Sequence, residues 1–185
     1  MSIAAATIAD RVVPRSRVND FALVLGGAVL TAIAAQIQIP MFPVPMTLQT
    51  FAVLLVAATL GAGRGALSMA SYLAMGAAGL PVFAAAKTLT GVLPTAGYLI
   101  GFVVAGALVG ALAAKGWTKN PLKLALSFAL GSTVIYILGV AGLMITLGLT
   151  LPQAIAGGVI PFILGDVVKA VAAAAILPAA WKLLK

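Results

Sequence analysis

Apolar residues run along this chain in long blocks, broken by short clusters of glycine, proline and charge. No charged residue occurs in 21–63, 88–114 or 124–165. Each of these runs exceeds the roughly 18 residues that mark a helix able to cross a bilayer. The interruptions divide the pattern into six expected spans, at about 21–37, 47–60, 66–78, 98–114, 124–145 and 161–184. Pro40, Pro43 and Pro45 cannot continue a helix and make an ordered apolar connector after the first span. Thr47 is the expected N-cap of the second. Gly61-Ala62-Gly63-Arg64-Gly65 reads as a tight turn with a basic anchor. The third span is short, so it must tilt or extend through Gly79-Leu80-Pro81. A proline-punctuated bridge at Pro152 and Pro161 leads into the sixth, which places Asp166 about five residues into that helix.

Composition assigns these helices to a membrane. The chain is 63% hydrophobic and 8% charged, where soluble domains carry about a quarter charged residues; the mean hydropathy is +1.22. The net charge of +8 does not indicate nucleic acid, because the basic residues fall at span ends. With six spans and the N-terminus inside, nine basic residues face inward (Arg11, Arg15, Arg17, Arg64, Lys115, Lys119, Lys123, Lys182, Lys185) and only Lys87 faces outward. The expected class is therefore an all-α, multi-pass integral membrane protein with both termini cytoplasmic. Residues 1–19 form a basic cytoplasmic extension at the membrane surface, and 20–185 form one membrane-embedded domain.

Absent residue types narrow the function. There is no cysteine and no histidine, and there are three acidic residues, Asp10, Asp20 and Asp166. Thiolate chemistry, the commonest general base and a carboxylate dyad are all excluded. No nucleotide-binding glycine-lysine loop is present. The expectation is no enzyme, no metal and no cofactor.

Asp166 and Lys169 stand out, three apart on the sixth span and on nearly the same helix face. Charges within hydrocarbon are costly and mark functional sites by default. The pair either neutralises itself or receives a ligand. A carboxylate offers acceptors and an ammonium offers donors, which together match adjacent N–H groups and a carbonyl, as in a cyclic urea or amide; alternatively Lys169 holds a substrate carboxylate. The sixth span starts at the outer face, so such a site opens outward. Gln49, buried one turn into the second span, either bonds to nearby backbone or meets the ligand. The long, lightly charged segment 81–98 reads as a lid or pocket wall. Tyr98, with Thr95 three residues earlier, begins the fourth span and is either a pocket residue or an interfacial belt residue. Gly27, Ala28, Thr31, Ala32 and Ala35 give the first span a thin face for a close helix partner. Two other classes remain in play: a self-contained secondary transporter with Asp166 as proton relay, and a membrane enzyme with a serine paired to Lys169, which has no motif-placed serine.

Four segments in order resemble one family. They are Val44-Pro45-Met46-Thr47-Leu48-Gln49-Thr50, Gly79-Leu80-Pro81-Val82-Phe83-Ala84, Pro94-Thr95-Ala96-Gly97-Tyr98-Leu99-Ile100-Gly101-Phe102, and Pro161-Phe162-Ile163-Leu164-Gly165-Asp166-Val167-Val168-Lys169-Ala170. The resemblance is to BioY, the biotin-binding S component of energy-coupling factor (ECF) transporters. It implies biotin as the transported ligand in a bacterial cytoplasmic membrane, with a transmembrane coupling protein and two ATPases as partners. It also implies Asp166 and Lys169 as ligand groups, and Ala28 and Ala32 as the coupling-protein docking face. Phe83, Tyr98, Thr95 and Gln49 fall in the matching motifs and join the expected site. Two departures touch the lid. The glycine-rich stretch usual after Pro-Val-Phe is here Ala84-Ala85-Ala86-Lys87, and Gly-Pro-Thr-Gly-Gly-Tyr is here Leu93-Pro94-Thr95-Ala96-Gly97-Tyr98. Alanine restricts positive φ, and Lys87 is placed to meet a ligand carboxylate from the outer side.

Overall fold

Local capping explains where several of the helices begin. In the computed structural model, residues 7–89 and 93–184 are described; Thr90, Gly91 and Val92 of the expected lid and Lys185 of the basic set lie outside them. Helix α1 (Ile8–Val12) starts at Thr7, whose hydroxyl accepts the Asp10 N–H. Helix α2 (Arg17–Gln36) is capped by Ser16, which accepts the Asn19 N–H at 3.1 Å. A two-residue hairpin, β1 (Gln38–Ile39) with β2 (Met46–Thr47), closes the proline connector with Gln38 opposite Thr47. Then follow α3 (Gln49–Leu60), α4 (Ala62–Ala77), α5 (Ala96–Ala114) and α6 (Pro121–Leu147). Asn120 caps α6 through the Lys123 N–H, with Pro121 in the first turn where its missing N–H is harmless. Helices α7 (Leu151–Gly158) and α8 (Ile163–Leu183) complete the described chain.

Helix α5 lies at the centre, packed on α3, α4 and α6, while α2 covers α3 and α4, and α8 lies on α6. Tyr72, Phe83, Phe128, Ile135 and Leu143 are fully buried between these elements. The outer surface carries many large apolar side chains: Ile33, Ile100, Ile137 and Val171 are all more than half exposed. Such a surface belongs in lipid, where apolar side chains need no cover. Four stretches are long and apolar enough to cross a membrane, namely α2, α5, α6 and the run from α7 through α8. Helices α3 and α4, with 12 and 16 residues, are shorter.

Several expectations require correction. Residues 61–65 are not a turn: Gly61, at φ +86°, alone separates α3 from α4. The other glycines of that stretch are helical, and a side chain on Gly65 would crowd the Ala57 backbone. Leu48, not Thr47, is the N-cap of α3, although the Thr47 hydroxyl still accepts the Gln49 N–H at 3.1 Å. The proline bridge is largely the helix α7, where Gln153 accepts the Thr150 N–H at 3.0 Å. Because α8 starts at Ile163, Asp166 lies in its first turn instead of five residues deep. Helix α2 begins at Arg17, so the expected boundary at 19/20 falls inside it, and α1 packs on α3 with Ala9 buried. Ala28 was expected to dock a partner but has no exposed surface. The thin face of α2 is used within the chain: any side chain on Gly27 would meet Ser68 and Val56. Ala32 is half-buried against the same core.

Candidate ligand site

The polar centre joins the first turn of α8 to the first turn of α3. Lys169 and Asp166 pair at 3.2 Å, each with 15% of its side chain exposed. Asp166 lies in the first turn of α8, at the positive end of the helix dipole. The Lys169 ammonium donates to the Thr47 carbonyl at 3.1 Å, to the Thr50 hydroxyl at 2.7 Å and to Asp166 Oδ1 at 3.2 Å. Its three donors are thus all engaged. Tyr136 of α6 donates its hydroxyl to Asp166 Oδ2 at 2.6 Å. Each carboxylate oxygen has accepted one hydrogen bond and keeps capacity for another, so Asp166 is the open acceptor.

These groups form one wall of a pocket of about 50 Å³, lined also by Gln49, Phe83, Thr95, Tyr98 and Phe162. Phe83 is 2% exposed and meets Tyr72 edge-on, with ring centroids 5.3 Å apart. Gly76 makes that seat, since a methyl there would overlap the Phe83 ring. Tyr98 is buried, not interfacial; it lies against Gly139, and its hydroxyl donates to the Gly158 carbonyl at 2.8 Å. Gln49 donates to the Tyr72 hydroxyl at 2.7 Å, and Tyr72 in turn donates to the Val82 carbonyl at 3.0 Å. The Gln49 amide therefore ties α3 to the loop after α4 while its side chain lines the pocket. The Thr95 hydroxyl lines it with no hydrogen-bond partner among the described residues.

The wall carrying Phe83 is a strained turn. Ala85 and Ala86 adopt φ of +59° and +54° where the resemblance leads one to expect glycine. Non-glycine residues there cost about 1–2 kcal/mol each, so the turn must be held. Gln36, at the end of α2, donates to the Phe83 carbonyl at 3.2 Å and accepts the Ala86 N–H at 3.2 Å. The Phe83 N–H also donates to the Lys87 carbonyl at 3.0 Å. Lys87 itself is exposed and does not line the pocket, so of the seven expected ligand residues it alone stands apart.

Sequence reasoning missed Tyr136, Thr50 and Gln36. Tyr136 had a readable signal, as a lone phenol in the middle of an apolar span. Thr50 closes the same matching segment as Gln49, and Gln36 had no signal, because its role depends on chain brought close from far away in sequence.

Fold and site define a multi-pass helical membrane protein with one buried ion pair lining a small-molecule pocket. The BioY family model matches residues 6–185, and the chain belongs to the BioY family. It is 42% identical over 152 residues to "Biotin transporter BioY" of Thermotoga maritima, covering 80% of this chain and 86% of that protein. It is 36% identical over 159 residues to "Probable biotin transporter BioY" of Pyrococcus horikoshii, covering 85% and 93%. Its fold matches a crystal structure described as the S-component for biotin from an ECF-type ABC transporter. That match has a TM-score of 0.77, 23% identity, and covers 90% of this chain and 92% of that one.

Proposed function

We propose that this protein captures biotin from outside the cell and serves as the biotin-specific subunit of an ECF-type uptake system. The observation that carries the reading is the Asp166–Lys169 pair, held in a pocket and retaining free acceptor capacity on the carboxylate. Biotin presents two ureido N–H groups and one carbonyl. The N–H side suits Asp166. The carbonyl reaches Lys169 when the ammonium exchanges its Thr50 or Thr47 bond for it. Phe83, Phe162 and Tyr98 offer apolar and aromatic surface to the ring system, and the Thr95 hydroxyl, which has no partner among the described residues, offers a polar contact. Gln49 acts by holding the loop. Relatives named as biotin transporters support the choice of ligand.

The remaining features of the reading follow from the chain's pattern. Six helices, α2 to α6 and α8, cross the cytoplasmic membrane with both termini inside, and α1 is the cytoplasmic extension. A coupling protein and two ATPases supply the energy, since the chain carries no nucleotide-binding loop of its own. The decisive experiment is equilibrium dialysis of the purified protein with biotin, which is expected to give saturable binding at one site; absence of saturable binding overturns the reading. Copurification of an ATPase module tests the partnership, and biotin uptake by the protein alone, insensitive to ATP depletion, counts against it.

A further inference from the structure

Between α6 and α8 runs an open groove of about 320 Å³. Leu54 and Phe128 make its floor and are buried, whereas Ala129, Thr133, Ile163 and Val167 along its sides are exposed. In a bilayer such an apolar groove faces hydrocarbon and is filled by an acyl chain. Its direction along the molecule follows from two contacts. Tyr136 meets Asp166 at one end of the α6–α8 seam, and Trp181 of α8 donates to the Thr118 hydroxyl at 2.9 Å at the other.

The Trp181 end is basic. Lys115 closes α5, Lys119 ends the single helical turn Trp117–Lys119, Lys123 lies in the first turn of α6 and Lys182 in the last turn of α8. That turn packs on α5, α6 and α8 together, which gathers the four lysines at one rim. Trp181 locks the rim, since Thr118 beneath it is buried and the Lys119 ammonium stands 4.6 Å from the indole ring centre. All four lysines are exposed, and none has an ion pair among the described residues. The acids that could neutralise them are engaged elsewhere: Asp10 and Asp20 with Arg15 and Arg64, and Asp166 with Lys169. Gathered like charges repel, and Lys123 also stands at the positive end of the α6 dipole, where a cation is disfavoured. The positive-inside bias asks for basic residues on one side of the membrane, not for an uncompensated cluster below a groove. A bound anion relieves both costs.

We propose that this rim and groove together select an anionic phospholipid, with its phosphodiester at Lys119, Lys123 and Lys182 and an acyl chain in the groove. The spacing fits one leaflet. Thr133 lies ten residues from Lys123, about 15 Å along α6, and Ala170 lies twelve from Lys182, about 18 Å along α8. Half of a hydrocarbon core of about 30 Å is the same length. A zwitterionic lipid brings its own cation to the rim and gains less there. With both termini inside, as proposed above, the lipid belongs to the inner leaflet; selection itself requires only that the bundle lie in a membrane.

The test uses the full chain in nanodiscs of phosphatidylcholine, which present the same lipid in both leaflets and so do not depend on orientation. A trace of phosphatidylglycerol, or of phosphatidylcholine, carries a diazirine in its acyl chain, and cross-links are mapped by mass spectrometry. Each lysine near an anionic headgroup is worth about a fivefold gain, so the phosphatidylglycerol probe is expected to label 128–133 and 167–170 at least roughly tenfold more than the phosphatidylcholine probe. The variant Lys119→Gln/Lys123→Gln/Lys182→Gln is expected to label equally with both. Equal labelling of the wild type makes the groove an ordinary lipid contact and overturns the proposal. A preference that survives in the variant removes the lysines from it, and a preference whose cross-links map outside the groove removes the groove; either result overturns it. If the variant fails to fold, the wild type in about 1 M salt replaces it, where screening reaches about 3 Å; a preference unmoved by that salt overturns the proposal as well.

Discussion

At the residue scale, the site is one carboxylate kept in place from two sides. Lys169 holds one oxygen of Asp166 and Tyr136 the other, so the two supports have separable effects. Asp166→Asn removes the charge that accepts the ligand's N–H groups. Hydrogen bonds to charged groups contribute about 1.5–3 kcal/mol, so biotin affinity by dialysis is expected to fall roughly 10- to 100-fold. Tyr136→Phe leaves the charge and deletes one orienting donor; a loss of about 1 kcal/mol, roughly fivefold, is expected. Lys169→Met strands the carboxylate in an apolar wall and is expected to match or exceed Asp166→Asn. If Tyr136→Phe binds as tightly as wild type, the phenol is a packing group only. Asp166 and Lys169 were legible because charge is rare in this sequence and their spacing sets them on one face. Their companions Thr47 and Thr50 lie more than a hundred residues away, and a single sequence carries no record of that contact.

At the element scale, the pocket wall depends on a turn that resists its own conformation. Ala85 and Ala86 sit at positive φ, and Gln36 supplies hydrogen bonds to both sides of the turn. Gln36→Ala is expected to free the loop after α4 and weaken biotin binding several-fold, about 1 kcal/mol, while the helices melt unchanged. Ala85→Gly relieves a backbone strain of about 1 kcal/mol and is expected to preserve binding or tighten it. A variant with glycine that binds more weakly points to loop stiffness, not strain, as the useful property. Gly76→Ala acts on the same wall from beneath, since a methyl there displaces the Phe83 ring; dialysis is expected to show weaker binding. The elements themselves were legible to differing degrees. Long apolar runs marked α2, α5 and α6 well. The glycine cluster after α3 misled because glycine serves two purposes: Gly61 bends the chain, whereas Gly65 and Gly110 let helices approach closely. Helix α7 was hidden by the prolines at 152 and 161, of which Pro152 occupies its first turn, where proline is tolerated.

At the scale of the whole molecule, the bundle is fastened at the end away from the pocket. Asp10 of α1 accepts hydrogen bonds from Arg64 of α4, from Arg15 at 3.1 Å and from the Thr7 hydroxyl at 2.9 Å. Arg64 also pairs with Asp20 of α2 at 3.5 Å, so three helices share one cluster. Burial alone would raise the Asp10 pKa, but the bonds from Arg15, Arg64 and Thr7 outweigh it and hold the carboxyl well below the ordinary carboxylate range. A folded-state pKa below the unfolded one means stability that is complete above the unfolded value, near 4, and is lost as pH falls through and below it. The expected sign is therefore definite. At neutral pH, Asp10→Asn lowers the melting temperature by a few degrees, about 1–3 kcal/mol. As pH drops below about 4 the wild-type curve descends toward that of the variant, and the two meet only once pH has fallen through the folded-state value, because protonation removes the charge that the substitution already lacks. A gap between the two melting curves that stays constant down to pH of about 3 would show that Asp10 acts through shape, not charge. Biotin binding at neutral pH is expected to be the same in both, since the cluster lies at the far end of α3 from Thr50 and Lys169.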